Sequence, residues 1–399
     1  MKHALPFRAL IALSLIALLA ASASPRARAQ GRAPYELNGI FAVTGPAAFI
    51  GAPASQAFKA IEGYVNSTGG INGRPIRMIV LDDQTNPQVA VQLVNGLAAK
   101  NVAVFIGPMA TASCNAVLGP VAHGPVAYCV SPFISPPSGS YLFVQGGSPI
   151  DGGVVSLRYL KERGLRRVAM LNSTDATGQA LDRASEEAFT YPEFRSMQLV
   201  SHLHFSPQDV SVAAQIVQIK AANPQALVSW NLGTGFGTVA RGLHDAGLDA
   251  LPLITAGGNA SAGQIKRLAD FMPTDMHFLV SPLWAEDSRV PKAVKDQQAI
   301  FRRVMQAAGL PNDGAYASDW DITMIEIDAL RHLPPDPTAE QVRNYISHIN
   351  HHVGANGIFD FRFGSQSGAG QTIFILVHWD PRTNRFVSSS TPGGHPLPS

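Results

Sequence analysis

Residues Ile76 to Pro108 read IRMIVLDDQTNPQVAVQLVNGLAAKNVAVFIGP. The order of apolar runs and breakers in this stretch decides the fold class. Ile76 to Leu81, apolar but for Arg77, is a run of strand length. Asn86-Pro87 then pairs a helix cap with a proline at the first helical position. Val89, Leu93 and Leu97 recur at helical spacing and line one face. Val102 to Ile106 is a second apolar run, closed by Gly107-Pro108. A strand, a helix and a strand in this order make a βα unit with a parallel sheet.

The rhythm extends in both directions. Upstream, Leu37 to Val43 is a short apolar run broken by Thr44-Gly45-Pro46. Ala54, Phe58, Ile61 and Val65 then predict an amphipathic helix over Pro53 to Thr68. Gly69-Gly70-Ile71-Asn72-Gly73 ends it with residues that tolerate positive φ. Downstream, strands are predicted at Val126 to Val130, Val168 to Leu171, Ala226 to Trp230, Leu253 to Thr255 and Phe278 to Val280. Helices are predicted at Gly152 to Arg163, Gln179 to Thr190, Val210 to Ala222 and Thr238 to Ala246. So many strands exceed one small sheet, and two doubly wound α/β lobes fit better. No period of repeat length recurs, which excludes a solenoid.

Composition agrees. The 399 residues carry a net charge of +2, only 15% are charged, and 46% are hydrophobic. The chain can bury a large core, and its length predicts two domains. Near-neutral charge without a basic cluster excludes a nucleic-acid partner. At the N-terminus, Lys2, His3 and Arg8 precede a 13-residue apolar run, Ala9 to Ala21. That run is too short for a membrane helix. Ala27-Arg28-Ala29 fits a cleavage site, with Ala21-Ser22-Ala23 as a second candidate. Residues 1–29 are therefore expected to be a cleaved export signal, leaving a mature chain without membrane insertion. Cys114 and Cys129 are the only cysteines. They form neither a disulfide framework nor a zinc pattern, and whether they bridge depends on a separation the sequence does not state.

Ligands of open parallel sheets bind beyond the carboxyl ends of the strands. Two such ends are informative. Gly107-Pro108-Met109-Ala110-Thr111-Ala112-Ser113 leads into a helix whose N-terminus suits a carboxylate. Thr111 reads as a ligand contact there and Ser113 as the helix cap. Ser131-Pro132-Phe133-Ile134-Ser135 offers the Ser135 hydroxyl beside Phe133. Neither end supplies an acid or a base. The nucleophile elbow, the phosphate loop and the H-E-x-x-H zinc motif are all missing from the sequence. Gly233-Thr234-Gly235-Phe236-Gly237 lacks the sixth glycine and the distant acid of a dinucleotide loop, and reads as a tight turn that lets a ligand approach the backbone. His348 and His352 are four apart, but their stretch reads as a solvated helix face with no third ligand, so neither metal nor cofactor is expected.

These residues resemble a known family. Thr44-Gly45-Pro46 with Gly51, the run Asn66-Ser67-Thr68-Gly69-Gly70-Ile71-Asn72-Gly73-Arg74, then Asp82-Asp83-Gln84-Thr85-Asn86-Pro87 and Ile106-Gly107-Pro108 look like the leucine/isoleucine/valine-binding proteins. These are periplasmic solute-binding proteins of ATP-driven (ABC-type) uptake systems. The resemblance implies two Rossmann-like lobes joined by three crossings, the type I periplasmic binding protein fold. The first lobe would take residues 35–145 and 284–355, the second 146–283 and 356–390, with a tail at 391–399. It implies a ligand carboxylate held by Met109, Ala110, Thr111 and Ser135, with Phe49 and Ile50 lining the pocket.

The second lobe departs from the family pattern. Thr177 stands where the family has an aromatic lid. Ala256-Gly257-Gly258-Asn259 lacks the acid that would hold an amino group. Asp321, beside Trp320, is the candidate replacement, and Phe133, Phe236 and Trp320 would line a wider apolar cleft. The expected function is non-enzymatic capture of a small, mostly apolar carboxylate for delivery to the membrane permease of an ABC transporter. That ligand would be an aromatic or branched aliphatic acid ahead of a branched-chain amino acid. An amide- or small-molecule-sensing receptor on the same fold is the rival reading.

Overall fold

The computed structural model describes residues 33–311 and 314–398, so the expected export signal lies outside the described residues. The first sheet contains β1 (Tyr35–Phe41), β2 (Ile76–Asp82), β3 (Val104–Ile106), β4 (Val126–Cys129) and β5 (Leu142–Val144). Its spatial order is β2-β1-β3-β4-β5, and every pairing is parallel. Helices α1 (Ala48–Ser67), α2 (Pro87–Ala99) and α3 (Thr111–Val117) connect these strands. Strands β3 to β5 are buried throughout, as parallel strands covered on both faces must be.

The second sheet repeats that plan. After α4 (Pro149–Glu162) come β6 (Arg167–Ser173), α5 (Ala176–Phe189), β7 (Gln198–Phe205) and α6 (Ala213–Ala222). Then follow β8 (Ala226–Ser229), α7 (Thr234–Asp245), β9 (Leu253–Ala256), the short α8 (Ala262–Arg267) and β10 (Met276–Val280). The parallel strands run β7-β6-β8-β9-β10, which is the order of the first sheet over again. The chain then makes α9 (Lys292–Ala307), α10 (Trp320–His332) and α11 (Ala339–Ser347), which pack on the first sheet and α1. A two-strand hairpin of β11 (His352–Val353) and β12 (Ile358–Phe359) precedes the return. Finally β13 (Ile375–Asp380) pairs antiparallel with β10, and β14 (Arg385–Ser388) with β13. The fold is the two-lobed, doubly wound α/β architecture expected.

Several elements differ from the sequence reading, each for a local reason. Helix α1 starts at Ala48, five residues before Pro53. Its first turn presses onto β1, and only Gly51 fits there, since a Cβ would lie 2.0 Å from the Ala42 carbonyl oxygen. Helix α7 starts at Thr234 instead of Thr238. The turn shrinks to Gly233 at φ +64°, and the remaining glycines of that run are helical. Ser113 is inside α3 and buried, so it does not cap the helix. Strand β7 lacks the unbroken apolar run of a central strand because it is an edge, with polar Ser201, His202 and His204 among its residues.

Cys114 and Cys129 are joined by a disulfide with 6.0 Å between Cα atoms, tying α3 to β4 inside the first-lobe core.

Candidate functional site

In a sheet ordered 2-1-3-4-5, the crevice for a ligand opens where the order reverses, at the carboxyl ends of the first and third strands. Here that happens twice. In the first sheet the reversal lies between β1 and β3, and in the second between β6 and β8. The two crevices face each other. Thr111, which opens the helix after β3, has its Oγ1 2.8 Å from Oγ1 of Thr177, in the first turn after β6. Phe49, after β1, approaches Gly233, after β8: a Cβ built on Gly233 would sit 3.4 Å from the Phe49 ring.

The loop that leads into α1, and so places Phe49, is held by the acidic motif at the end of β2. Asp82 Oδ1 accepts from the N–H groups of Val43 (3.0 Å), Thr44 (3.2 Å) and Gln84 (2.9 Å). Its Oδ2 accepts from the Thr44 hydroxyl at 2.7 Å. Partial burial pushes the Asp82 carboxyl up, but these bonds outweigh it and hold the group below the usual carboxylate range. Thr85 donates its hydroxyl to the Thr44 carbonyl (3.0 Å) and accepts from the Ala47 N–H (3.1 Å). Gly45, at φ +86°, runs against the Gln84 carbonyl, where a Cβ would come within 2.3 Å. The Thr44-Gly45-Pro46 and Asp82 to Pro87 motifs are thus two halves of one knot that fixes the start of α1.

In the second lobe, Asn259 plays the equivalent part. Its Oδ1 accepts from the Gly233 N–H (3.1 Å), and its Nδ2 donates to the Asn231 carbonyl (2.8 Å) and Thr255 Oγ1 (3.2 Å). Asn259 is fully buried and sets the loop that faces Phe49.

At the centre lie three buried hydroxyls. Thr111 Oγ1 is 2.9 Å from Ser131 Oγ and 2.8 Å from Thr177 Oγ1. Ser131 Oγ also accepts from the Phe133 N–H at 3.3 Å. The two mutual bonds consume two of three hydroxyl protons, whichever way they point. One proton is left to donate and lone pairs remain to accept, so the cluster can donate to a carboxylate oxygen.

The sequence-derived residues divide accordingly. Across the cleft Thr111 meets Thr177 and Phe49 meets Gly233, and Phe133 adjoins the hydroxyls through its N–H. Ala110 immediately precedes α3 in extended conformation, while Met109 is buried in a core cluster that includes residues of both sheets and Ile50 packs against it. Four expectations are corrected. Ser135 is exposed, and the hydroxyl beside Thr111 comes from Ser131, the second residue past β4. Phe236 is a core residue, stacked edge-on against Phe278. Trp320 is likewise core, edge-on to Phe301. Asp321 is committed elsewhere: Oδ1 accepts from the Ala355 N–H (2.7 Å), and Oδ2 from the N–H (2.7 Å) and Nδ2 (2.9 Å) of Asn356. A cavity of about 140 Å³ beside it is walled by Gln297, Met324, Arg331 and His352, and by none of the loop residues around Thr111. Asp175 is also engaged, capping α5 through the Gly178 N–H at 2.9 Å.

A family model of periplasmic binding proteins matches residues 38–382, nearly all of the described chain. The chain belongs to the periplasmic binding protein family. Among known proteins, this binding protein is 22% identical over 250 residues to Leu/Ile/Val-binding protein homolog 3 of Brucella melitensis. That match covers 60% of this chain and 66% of the relative, just under two thirds of its length. LivJ of Streptococcus pneumoniae, a branched-chain amino acid transporter substrate-binding protein solved with isoleucine, superimposes with a TM-score of 0.72 at 14% identity. The superposition covers 88% of this chain and 97% of LivJ. A fatty acid ABC transporter substrate-binding protein from Thermomonospora curvata gives a TM-score of 0.71 at 16% identity, covering 89% of this chain and 91% of that one. No helix among the described residues is long and apolar enough to cross a membrane.

Proposed function

We propose that this binding protein captures a small, mostly apolar carboxylate lacking an α-amino group between its lobes and delivers it to the membrane permease of an ABC transporter. The carrying observation is the hydroxyl cluster of Thr111, Ser131 and Thr177 at the meeting of the two crevices, with one proton to spare. An α-ammonium would need a carboxylate partner, because a buried unpaired charge costs several kcal/mol. Asp321, the candidate for that part, is turned to backbone N–H groups, and so is Asp175 at the start of α5. Phe133 supplies apolar surface beside the donors, and Phe49 supplies more where it faces Gly233. The structural neighbours named above accommodate isoleucine in one case and are named for fatty acids in another, so the fold serves carboxylates with and without an amino group. A nucleophile–base pair does not form part of this cluster, which supports binding without turnover. Export to the periplasm accords with the family and with the expected signal at residues 1–29.

Calorimetry with leucine and with its deaminated analogue, 4-methylpentanoate, tests the ligand class. The acid is expected to bind more tightly. Tighter binding of leucine would overturn the class and favour the branched-chain amino acid reading. A hydroxyl donating to a carboxylate is worth about 1.5–3 kcal/mol. Thr111→Val and Ser131→Ala should therefore each weaken the acid about ten- to a hundredfold. Wild-type affinity in both variants would remove the carboxylate from this cluster. Small-angle scattering should show contraction on binding as the lobes close.

A further inference from the structure

Away from the cleft, on the outer edge of the second sheet, two histidines and an aspartate converge. We propose that His202, His204 and Asp182 form a site for a divalent transition-metal ion of the zinc class. The site arises from strand periodicity: β7 puts residues 202 and 204 on one face, and Leu203 on the other, where it packs against the second-lobe core. Helix α5 brings Asp182 over that face. Asp182 Oδ1 is 2.5 Å from His202 Nε2, and Oδ2 is 2.9 Å from His204 Nε2. The three ligand atoms all lie within 4.8 Å of one another. A tetrahedral ion with bonds near 2.0–2.1 Å spaces its donors about 3.3 Å apart, so a small opening of the cluster admits it. The His204 side chain is 43% exposed and free to make that adjustment, while Asp182 is 12% exposed and fixed.

The surroundings are those of a metal centre. Asp182 is oriented by Asn172, whose Nδ2 donates to Oδ1 at 2.5 Å and whose Oδ1 accepts from the Trp230 N–H at 2.8 Å. Glu186, one turn along from Asp182, places Oε1 3.2 Å from His202 Nδ1. Both nitrogens of His202 therefore face carboxylate oxygens. A carboxylate behind the distal nitrogen of a ligating histidine is the arrangement that fixes its tautomer and aims the other nitrogen at the ion. Asp182 and Glu186 together bring two negative charges, which a divalent cation balances. Two imidazoles and one carboxylate select zinc, cobalt, nickel or copper over calcium and magnesium. The exposed side by His204 leaves a position for water.

The test uses full-length mature protein without a histidine tag, stripped with a chelator. Calorimetric titration with Zn²⁺ should show one equivalent bound at micromolar affinity or tighter. Co²⁺ should give the visible absorption of a low-coordinate N/O site. His202→Ala and His204→Ala should each weaken Zn²⁺ at least tenfold, with far-ultraviolet circular dichroism unchanged. Asn172 and Glu186 act as positioning residues: Glu186→Gln should weaken Zn²⁺ severalfold while the Co²⁺ spectrum keeps its form. His348→Ala serves as the control and should leave binding unchanged. Substoichiometric Zn²⁺ uptake by the wild type, or wild-type affinity in both histidine variants, would overturn the site and leave the cluster a hydrogen-bonded charge pair.

Discussion

Asp321→Asn separates two roles that the sequence leaves open for this residue, an anchor for a ligand amine and an anchor for the chain. The structure has its carboxyl accepting three hydrogen bonds from the 355–356 segment, which leads the chain back toward the second sheet. Gly354 crosses so closely that a Cβ there would come within 2.6 Å of the Asp321 carboxyl carbon. Burial pushes the Asp321 carboxyl up, opposed by those same bonds. In Asp321→Asn, one oxygen becomes an NH₂ group facing an N–H. At least one buried donor then loses its acceptor, and the others lose strength. A buried group left unpaired costs about 1–3 kcal/mol, so the variant should lose about 2–4 kcal/mol in all. With an unfolding entropy of about 2.1 cal/mol/K per residue, a chain of this length should melt about 3–5 °C lower. Scanning calorimetry reads the melting shift, and isothermal calorimetry with leucine and 4-methylpentanoate reads selectivity. The expected result is lower stability with the leucine-to-acid affinity ratio unchanged. Wild-type melting with a selective loss of leucine binding would refute the reasoning and make Asp321 an amine ligand.

Other outcomes can be checked alongside. The Cys114–Cys129 bridge closes a loop of 15 residues, so replacing both cysteines with Ala should cost about 3 kcal/mol of stability. The acid's affinity should stay within about twofold of wild type, since neither cysteine belongs to the hydroxyl cluster. Glu326 is fully buried, neither of its oxygens has a hydrogen-bond partner among the described residues, and burial raises its carboxyl well above the ordinary value of 4.5. The folded state therefore keeps a proton that the unfolded chain gives up. The stability it contributes is complete below the ordinary value and drains as pH climbs toward the folded one, by at most about 1.4 kcal/mol per pH unit. Glu326→Gln should remove that drain, so its melting temperature should gain on wild type between about pH 5 and about pH 8. A constant difference over that range would mean Glu326 is not held protonated by the fold.

The fold was legible because βα units announce themselves twice, through apolar runs and through the breakers between them. Asn86-Pro87 marked the start of α2 to the residue. Edge and antiparallel elements were not legible in the same way. Strand β7 mixes Ser and His with Leu, and β13 pairs with β10, a strand about a hundred residues earlier, before β14 adds to β13. In the site, Thr111 could be placed from its position just past a strand. Ser131 satisfies the same rule after β4, yet the family spacing pointed to Ser135, which the chain turns outward. Phe236, Trp320 and Asp321 have the chemistry of ligand contacts. Which face of a helix meets a ligand and which meets the core depends on the neighbouring layer, and that is absent from the residues themselves. The H-x-H pair of β7 was missed because its third member, Asp182, lies on a different element twenty residues earlier.

The strand order of the two sheets also sets a timetable. The first sheet draws all its strands from residues 35–144, so a chain emerging N-terminus first has that sheet complete early. The second does not close in the same way. Strand β10 keeps an open edge until β13 arrives, with Val280 waiting for Ile375. The helices that cover the first sheet, α9 to α11, are made in the interval. A polypeptide made N-terminus first thus presents a half-finished second lobe for almost a hundred residues, and only its last strands, β13 and β14, seal it.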